Sequence, residues 1–540
     1  GTDAIEGIFL DLSKIKGINL DPGTFTNMSN MRLLKFYVPK FYGIERFLSM
    51  SIEEQLSYSK VQLPNGLDYL PEKLRYLHWD TYPLRILPSN FKPKNLVELN
   101  LRFSKVEQLW EGEKACVPSS IQNFKYLSML NFEGCKSLRS FPSNLHFVCP
   151  VTIDFSYCVN LIEFPQISGK ITRLYLGCSA IEEVPSSIEC LTDLEVLDLM
   201  YCKRLKRIST RFCKLRSLVD LCLNGCLNLE RFPEILEKME HLKCINLDRT
   251  AITELPSSFE NLTGLKGLSV SDCSKLDKLP DNIGNLESLH HMSAFGSAIS
   301  QLPSSVADSN VLGILDFSRC KGLESFPRSL LGLSSLVALH IRNFAVMEIP
   351  QEIARLSSLI DLHIGGNNFQ SLPASIKQLS QLSSLELNDC KMLQSLPELP
   401  LCLKYLHLRD CKMLQSLPAL PLCLESLDLR DCNMLRSLPE LPLCLQELDA
   451  TNCNRLQSLA EIPSCLQELD ASVLETLSKL SPDFRVWLPA FLLQPIYFGF
   501  INSLKLNGKA NKKILADSQL RIRHMAIASL RLGYERAISE

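Results

Sequence analysis

Apolar residues return along this chain at a nearly fixed interval. A unit reading L-x-x-L-x-L-x-x-C-x-x-L-x-x-L-P starts at Leu74 and can be followed to about Leu477, with eighteen starts mostly 21 to 24 residues apart. Weaker units precede it at Ile5-Ile8-Leu10 and Met31-Leu34-Phe36, separated from the array by a non-repeating stretch around residues 38 to 60. The last two apolar positions of L-x-x-L-x-L alternate with period two, which predicts a short strand with one buried and one exposed face. The remaining apolar positions, such as Leu229 and Phe232, turn the chain back beneath the strand. A single unit cannot cover its own apolar face, so successive units must stack.

That period and pattern are those of leucine-rich repeats. The fold class expected is an α/β solenoid, a horseshoe with a parallel sheet on its concave side and short helical, 3₁₀ or extended segments on its convex side. Pro185-Ser186-Ser187-Ile188, Pro256-Ser257-Ser258-Phe259 and Pro373-Ala374-Ser375-Ile376 place Pro where a helix can start, with a second apolar residue three positions after the first (Leu191, Leu262, Leu379). From Pro397 the return shortens to L-P-E-L-P-L-C-L, too rich in Pro for a helix, and is expected to be extended. The last units should therefore have a thinner convex side and bend less.

Cys fills one slot of the unit in ten coils: Cys135, Cys158, Cys202, Cys226, Cys273, Cys320, Cys390, Cys411, Cys432 and Cys453. Elsewhere the slot is Ser104, Ser179, Thr250 or Ser297, and the next apolar residue arrives one place sooner. A small side chain with a weak donor suits a tight buried turn. Cys402, Cys423, Cys444 and Cys465 form a second column 21 residues apart. Both columns, 14 of the 21 Cys, are expected to be packed thiols in a reducing compartment.

Composition removes several alternatives. Hydrophobic residues make up 46% and charged residues 21% of 540, which excludes disorder for most of the chain. The 57 Lys+Arg against 59 Asp+Glu leave no basic excess for nucleic acid. The longest apolar stretch, Trp487 to Phe500, is broken by two Pro and a Gln and is too short to span a bilayer. No charged-then-apolar leader opens the sequence, so a signal peptide is expected to be absent or to have been cut away with the original N-terminus. Phosphate-binding, dinucleotide-binding, nucleophile-elbow and H-E-x-x-H motifs are lacking, as is C-x-x-C, so no catalytic, cofactor or metal residues are assigned.

What the repeat does build is a surface. The residue between the strand leucines points outward, and stacking sets one from each coil in a column spaced by about 4.8 Å. That column carries Tyr175, Asp198, Asn246, Asp316, His340, His363, Glu386, His407 and Asp428. Two places on, a second column carries Met200, Asp248, Phe295, Arg342, Arg409 and Arg430, with Tyr201 beside it. These sixteen are the candidate partner-binding residues. Any such sheet needs a wetted face, so most individual members read as solvated. The His340-His363 neighbours read as an ordinary solvated pair rather than a metal site. Arg409 and Arg430 should relieve crowding in the acid column from Asp428 to Asp470. The exposed aromatics Tyr175, Tyr201 and Phe295 favour a contact role.

Residues 74 to 112, LRYLHWDTYPLRILPSNFKPKNLVELNLRFSKVEQLWEG, closely resemble the opening of the repeat region of plant TIR-type nucleotide-binding leucine-rich-repeat disease resistance proteins. Trp79, the Tyr82-Pro83-Leu84 turn and the Leu109-Trp110-Glu111-Gly112 ending carry that resemblance. The stretch GTDAIEGIFLDLSKIKGINLDPGTFTNMSNMRLLKF is similar to the same family's junction after its nucleotide-binding domain. FINSLKLNGKANKKILADSQLRIRHMAIASL resembles the entry to its post-repeat jelly-roll-like domain. Two departures stand out: WEGEKACVPSSIQ joins the ending almost directly to a P-S-S-I segment, which reads as a deletion near Lys114 to Val117, and Ser503 sits where Cys is common. The organisation expected is residues 1–73 as junction and irregular first units, 74–477 as the array, and 478–540 as a cap and the start of the post-repeat domain.

The resemblance implies a division of labour. The TIR domain of such receptors cleaves NAD+, and the nucleotide-binding domain switches between ADP and ATP. The repeats recognise a pathogen effector or a guarded host protein while restraining the switch. This chain would hold only the recognition and restraint part, in the cytoplasm or nucleus, with no cofactor of its own and no nucleic-acid or membrane partner. A repeat adaptor of a ubiquitin ligase is the alternative, but no F-box-like segment is evident. A secreted ectodomain would carry many N-x-[ST] sites, and only Asn27 and Asn261 fit.

Overall fold

The structure is a computed structural model that describes residues 2–39, 59–89, 91–108, 125–142, 145–323, 325–344, 346–456, 468–470 and 497–499. The junction around Trp110 and nearly all of 478–540 lie outside the described residues. The chain gathers into two compact units, Gly1–Ile299 and Ser300–Glu540, and the division falls inside the repeat array.

Each unit is a stack of coils contributing one parallel strand apiece. In the first, Leu34, Leu77, Leu99, Leu130, Ile153 and Leu174 pair in register from strand to strand. The ladder continues through Leu197, Leu221, Ile245, Leu268 and Met292. In the second unit the same position runs from Leu315 through Leu339, Leu362, Leu385, Leu406, Leu427 and Leu448 to Leu469. From Leu34 to Leu448 all of these side chains are buried. The period-two reading therefore sets which strand residues face the core. Two strands are longer than the repeat predicts, Leu145–Asp154 and Ile167–Tyr175. Here the return lacks the P-S-S-I signal. It stays extended, and Leu145 pairs with Ile167 before the register shifts between Phe147 and Val151.

The returns divide as the Pro pattern predicts. Ser186–Cys190, Ser257–Asn261 and Ala374–Gln378 are single-turn 3₁₀ helices, each preceded by an extended Pro whose carbonyl accepts the first helical bond. After Gln378 no helix occurs among the described residues. The chain instead makes tight turns closed by Leu403, Leu424 and Leu445 donating to Pro400, Pro421 and Pro442.

All ten slot cysteines are buried. Thiols of this row donate to the carbonyl of the residue that follows the preceding coil's strand, as Cys226 Sγ does to Leu199 O at 3.2 Å and Cys432 Sγ to Leu408 O at 3.1 Å. Asn367 fills the slot once and bonds the same class of carbonyl, its Nδ2 donating to Ile341 O at 2.9 Å. The second cysteine column is a correction. Cys423 and Cys444 are exposed and Cys402 is half-buried, while Cys465 lies outside the described residues. Cys402, Cys423 and Cys444 sit at the third position of the tight turns just described, and a turn corner points away from the core.

The residue ahead of the slot adopts a left-handed backbone in most coils. Tyr201, Asp272, Asp389, Asp410 and Asp431 have φ between 55° and 62°, and Gly225 has 76°. The slot amide closes a β-turn onto the residue just after the strand, which needs positive φ at that corner, and the amide of the corner residue donates to the next coil. A Cβ at Gly225 would lie 2.4 Å from the Tyr201 ring, so the aromatic packs directly against the glycine of the next coil. Gly225→Ala is expected to displace that ring and cost about 1–3 kcal/mol. Urea unfolding checks this, and an unchanged midpoint would remove the packing claim.

Near the start of the array Trp79 is fully buried among Phe25, Phe36 and Tyr82. Beside it Asp80 is fully buried. Its carboxylate accepts from Arg102 Nη2 at 3.1 Å and the Val38 amide at 2.9 Å, and meets His78 Nε2 at 3.0 Å. Burial alone would raise this carboxyl, yet the His78 bond and the Arg102 charge hold it below its usual value.

Candidate functional site

The candidate residues occupy the outer side of the strand ladders, one set in each unit, but Glu386 and Asp428 are buried there among their neighbours and offer little surface to a partner. Several have a structural duty that sequence spacing did not reveal. Oδ1 of Asp198 accepts the Met200 amide at 2.8 Å, Asn246 accepts that of Asp248 at 2.9 Å, Asp316 that of Ser318 at 2.8 Å and Asp428 that of Arg430 at 3.1 Å. These Asx turns satisfy the second amide after the strand, which is why Asp and Asn recur at the strand's last residue. Asp248 reaches the next coil and accepts the Ser271 amide at 2.7 Å. Burial raises the Asp198 carboxyl against the pull of its Met200 bond.

The aromatics are less exposed than the pattern implied. Tyr175 and Phe295 are half-buried and Met200 leans over Gly177. Only Tyr201 stands exposed, at 37%. The first residue of each strand shares the outer face by the same two-residue period, and the column reading passed it over. It contributes the exposed Ile314 and Tyr405.

In the second unit that overlooked position supplies Asp361, which joins His340 and His363. Parallel pairing sets the two imidazoles on neighbouring strands, stacked 4.2 Å apart and 10° from parallel. His340 Nε2 lies 3.4 Å and His363 Nε2 3.0 Å from the Asp361 carboxylate. His363 Nδ1 faces Glu386 at 3.3 Å, and Glu386 is held by Arg342 at 2.8 Å and Asn388 at 2.9 Å. The pair is therefore not an ordinary solvated one. Burial works against the charged form of both Asp361 and His363, but their mutual contact prevails, lowering the carboxyl and raising the imidazole.

Further along, Arg430 Nε bridges Asp428 at 3.0 Å and Asp449 at 3.3 Å, offsetting crowding in the acid column. Burial, and then the Asp428 charge, raise the Asp449 carboxyl. Arg409 is exposed and its amide donates to Asn388. His407 is half-buried between Glu386 and Asp428 in the ladder.

Comparison with known proteins matches residues 95–114 to the family Leucine Rich Repeat and residues 291–401 to Leucine-rich repeat region. Residues 214–308 match the family described as Disease resistance protein RPS4B-like, leucine-rich repeats. The coil is a leucine-rich repeat. Curated relatives of this repeat chain are disease resistance proteins of the TIR-NBS-LRR type. Disease resistance-like protein DSC1 of Arabidopsis thaliana is 34% identical over 297 residues, 47% of this chain and 23% of its own length. Disease resistance protein RPS4B of the same plant is 36% identical over 272 residues, 47% of this chain and 22% of its own. The chain thus spans less than a quarter of these relatives. Among solved structures, the Leptospira interrogans LRR protein LIC12759 aligns with a TM-score of 0.51 and 24% identity over 72% of this chain and 90% of its own. YopM from Yersinia enterocolitica aligns with a TM-score of 0.51 and 20% identity over 86% and 91%. Both likenesses concern the fold alone. Among the described residues no helix is long and apolar enough to cross a membrane.

Proposed function

We propose that this chain supplies the recognition surface of an intracellular plant immune receptor. The outer strand face touches a pathogen effector or a guarded host protein, and the unoccupied array restrains a nucleotide-binding domain lying outside this chain. The observation that carries the reading is the 34–36% identity to disease resistance proteins over about half of the chain. The character of the face supports it, since exposed Tyr201, Ile314, Tyr405 and Arg409 alternate with paired charges. Aromatic, aliphatic and Arg side chains of this kind anchor protein interfaces. The reading places the protein in the cytoplasm or nucleus, with residues 1–73 as junction, 74–477 as the array and 478–540 leading into a post-repeat domain.

Substitutions that spare the Asx turns separate recognition from folding. Asp198→Asn keeps the Oδ1 acceptor while removing the charge, and Arg409→Glu and Tyr405→Ala alter exposed groups. Placed in the full-length receptor, these changes are expected to alter effector-triggered or basal cell death at least about tenfold in dose response, equivalent to about 1.4 kcal/mol of contact. The purified chain should unfold at an unchanged midpoint. A panel that leaves both responses at the parental level overturns the assignment of this face.

A further inference from the structure

We propose that His340, Asp361 and His363 form a binding site for a divalent transition-metal ion of the zinc class on the outer strand face of the second unit. One ligand atom from each lies within 4.8 Å of the others. Two features of the strand pairing make the site. Asp361 and His363 are two residues apart on one strand and so share a face, while His340 is the direct cross-strand partner of His363.

The donor geometry suits an ion. Both Nε2 atoms face the Asp361 carboxylate at 3.4 and 3.0 Å. Ligand atoms about 2.0–2.2 Å from a tetrahedral ion stand roughly 3.3–3.6 Å apart, and because the stacked rings aim their nitrogens side by side, an ion would enter by rotation of the imidazoles with little backbone movement. Two imidazole nitrogens with one carboxylate favour zinc-like ions over magnesium or calcium, which prefer all-oxygen sets.

An independent observation lies behind the ligands. Glu386 meets Nδ1 of His363 at 3.3 Å and is itself fixed by Arg342 and Asn388. A carboxylate on the far nitrogen of a ligand histidine sets the tautomer that turns the Nε2 lone pair toward the metal. The three side chains remain a quarter to a third exposed, which leaves the fourth coordination position open to solvent. The inference goes beyond the recognition role proposed above and stands or falls separately.

Cobalt(II) titration of the chelator-stripped full chain tests it, because cobalt reports its donors in the visible spectrum. The expected result is one equivalent bound with d–d bands of nitrogen and oxygen ligation, without thiolate charge-transfer intensity, and displaced by zinc. His363→Gln and Asp361→Asn should each abolish that equivalent while keeping the parental circular dichroism. Glu386→Gln should weaken it about 10–100-fold, and a Cys423→Ser, Cys444→Ser double variant should leave it unchanged. No bound equivalent, or one that survives both His363→Gln and Asp361→Asn, overturns the proposal. A spectrum dominated by thiolate ligation does so as well.

Discussion

Replacing Asp80 with Ala is expected to lower the stability of the first unit by about 2–4 kcal/mol. The carboxylate has no solvent exposure and holds three groups together: the Arg102 guanidinium, the His78 ring and the Val38 amide. Removing the buried carboxylate leaves Arg102 and His78 only their longer approaches to Glu133 at 4.0 Å and Glu98 at 3.9 Å, and breaking up a buried ionic network costs more than the network contributed. Arg102 keeps 23% of its side chain in water, so the loss should fall short of that for a wholly buried pair. Asp80→Asn keeps an acceptor for Val38 and isolates the charge.

The pH dependence has a definite sign. The folded-state carboxyl is held below its unfolded value of about 3.9, so its contribution is present above that pH and is lost as pH falls toward the folded value. The stability gap between the parent and Asp80→Asn should therefore be constant from pH 7 to 5 and close below about pH 4. With Trp110 and Trp487 replaced by Phe, urea unfolding followed by the emission of Trp79, buried next to this site, reads the effect locally. A gap that stays constant to pH 3, or an Asp80→Asn variant as stable as the parent at pH 7, contradicts the role given to this carboxylate.

The repeat made much of this architecture legible because period-two alternation and the slot cysteine are both consequences of burial. Leu197, Leu221 and Ile245 are core residues, and Cys202 and Cys226 are buried donors, as the spacing predicts. What spacing does not carry is direction within a turn. Cys423 recurs as regularly as Cys432, yet one sits on a turn corner and the other beneath the ladder. A column of Asp and Asn reads as a wetted face, but Asp198 and Asp316 accept the backbone amide two residues on. The signal for that role was present in the Asp and Asn preference at one strand position. The Gly, Asp and Tyr residues preceding the slot carried a similar signal, since only a left-handed corner favours the first two.

Asp361 was missed for another reason. A column drawn through one strand position ignores the residue two places earlier, which shares its face. The His340–Asp361–His363 cluster becomes visible only when adjacent strands are laid in register. Sequence likeness reached the family through a run of unusual residues, Trp79 and the Tyr82-Pro83-Leu84 turn, and two of these, Trp79 and Tyr82, prove to be fully buried side chains. That run carries packing, whereas the recognition role proposed above rests on outer-face residues that differ from coil to coil.

Everything proposed for the outer face depends on the coils being wound so that one cysteine row lies inside and the other outside. Burial pushes the Cys135 and Cys390 thiols up to about 12 and that of Cys202 to about 11, so these groups are both sheltered and protonated at neutral pH. If they react only after an opening that costs about 4 kcal/mol, alkylation is slowed about a thousandfold relative to an exposed thiol. Mass-spectrometric mapping of native-state alkylation at pH 8 measures this site by site. Cys190, Cys244, Cys423 and Cys444 should be labelled within the first minutes, while the ten slot cysteines stay unlabelled until denaturant is added. Fast labelling of Cys226, Cys411 or Cys432 in the folded chain, or disulfides among them, would contradict the winding on which the account rests.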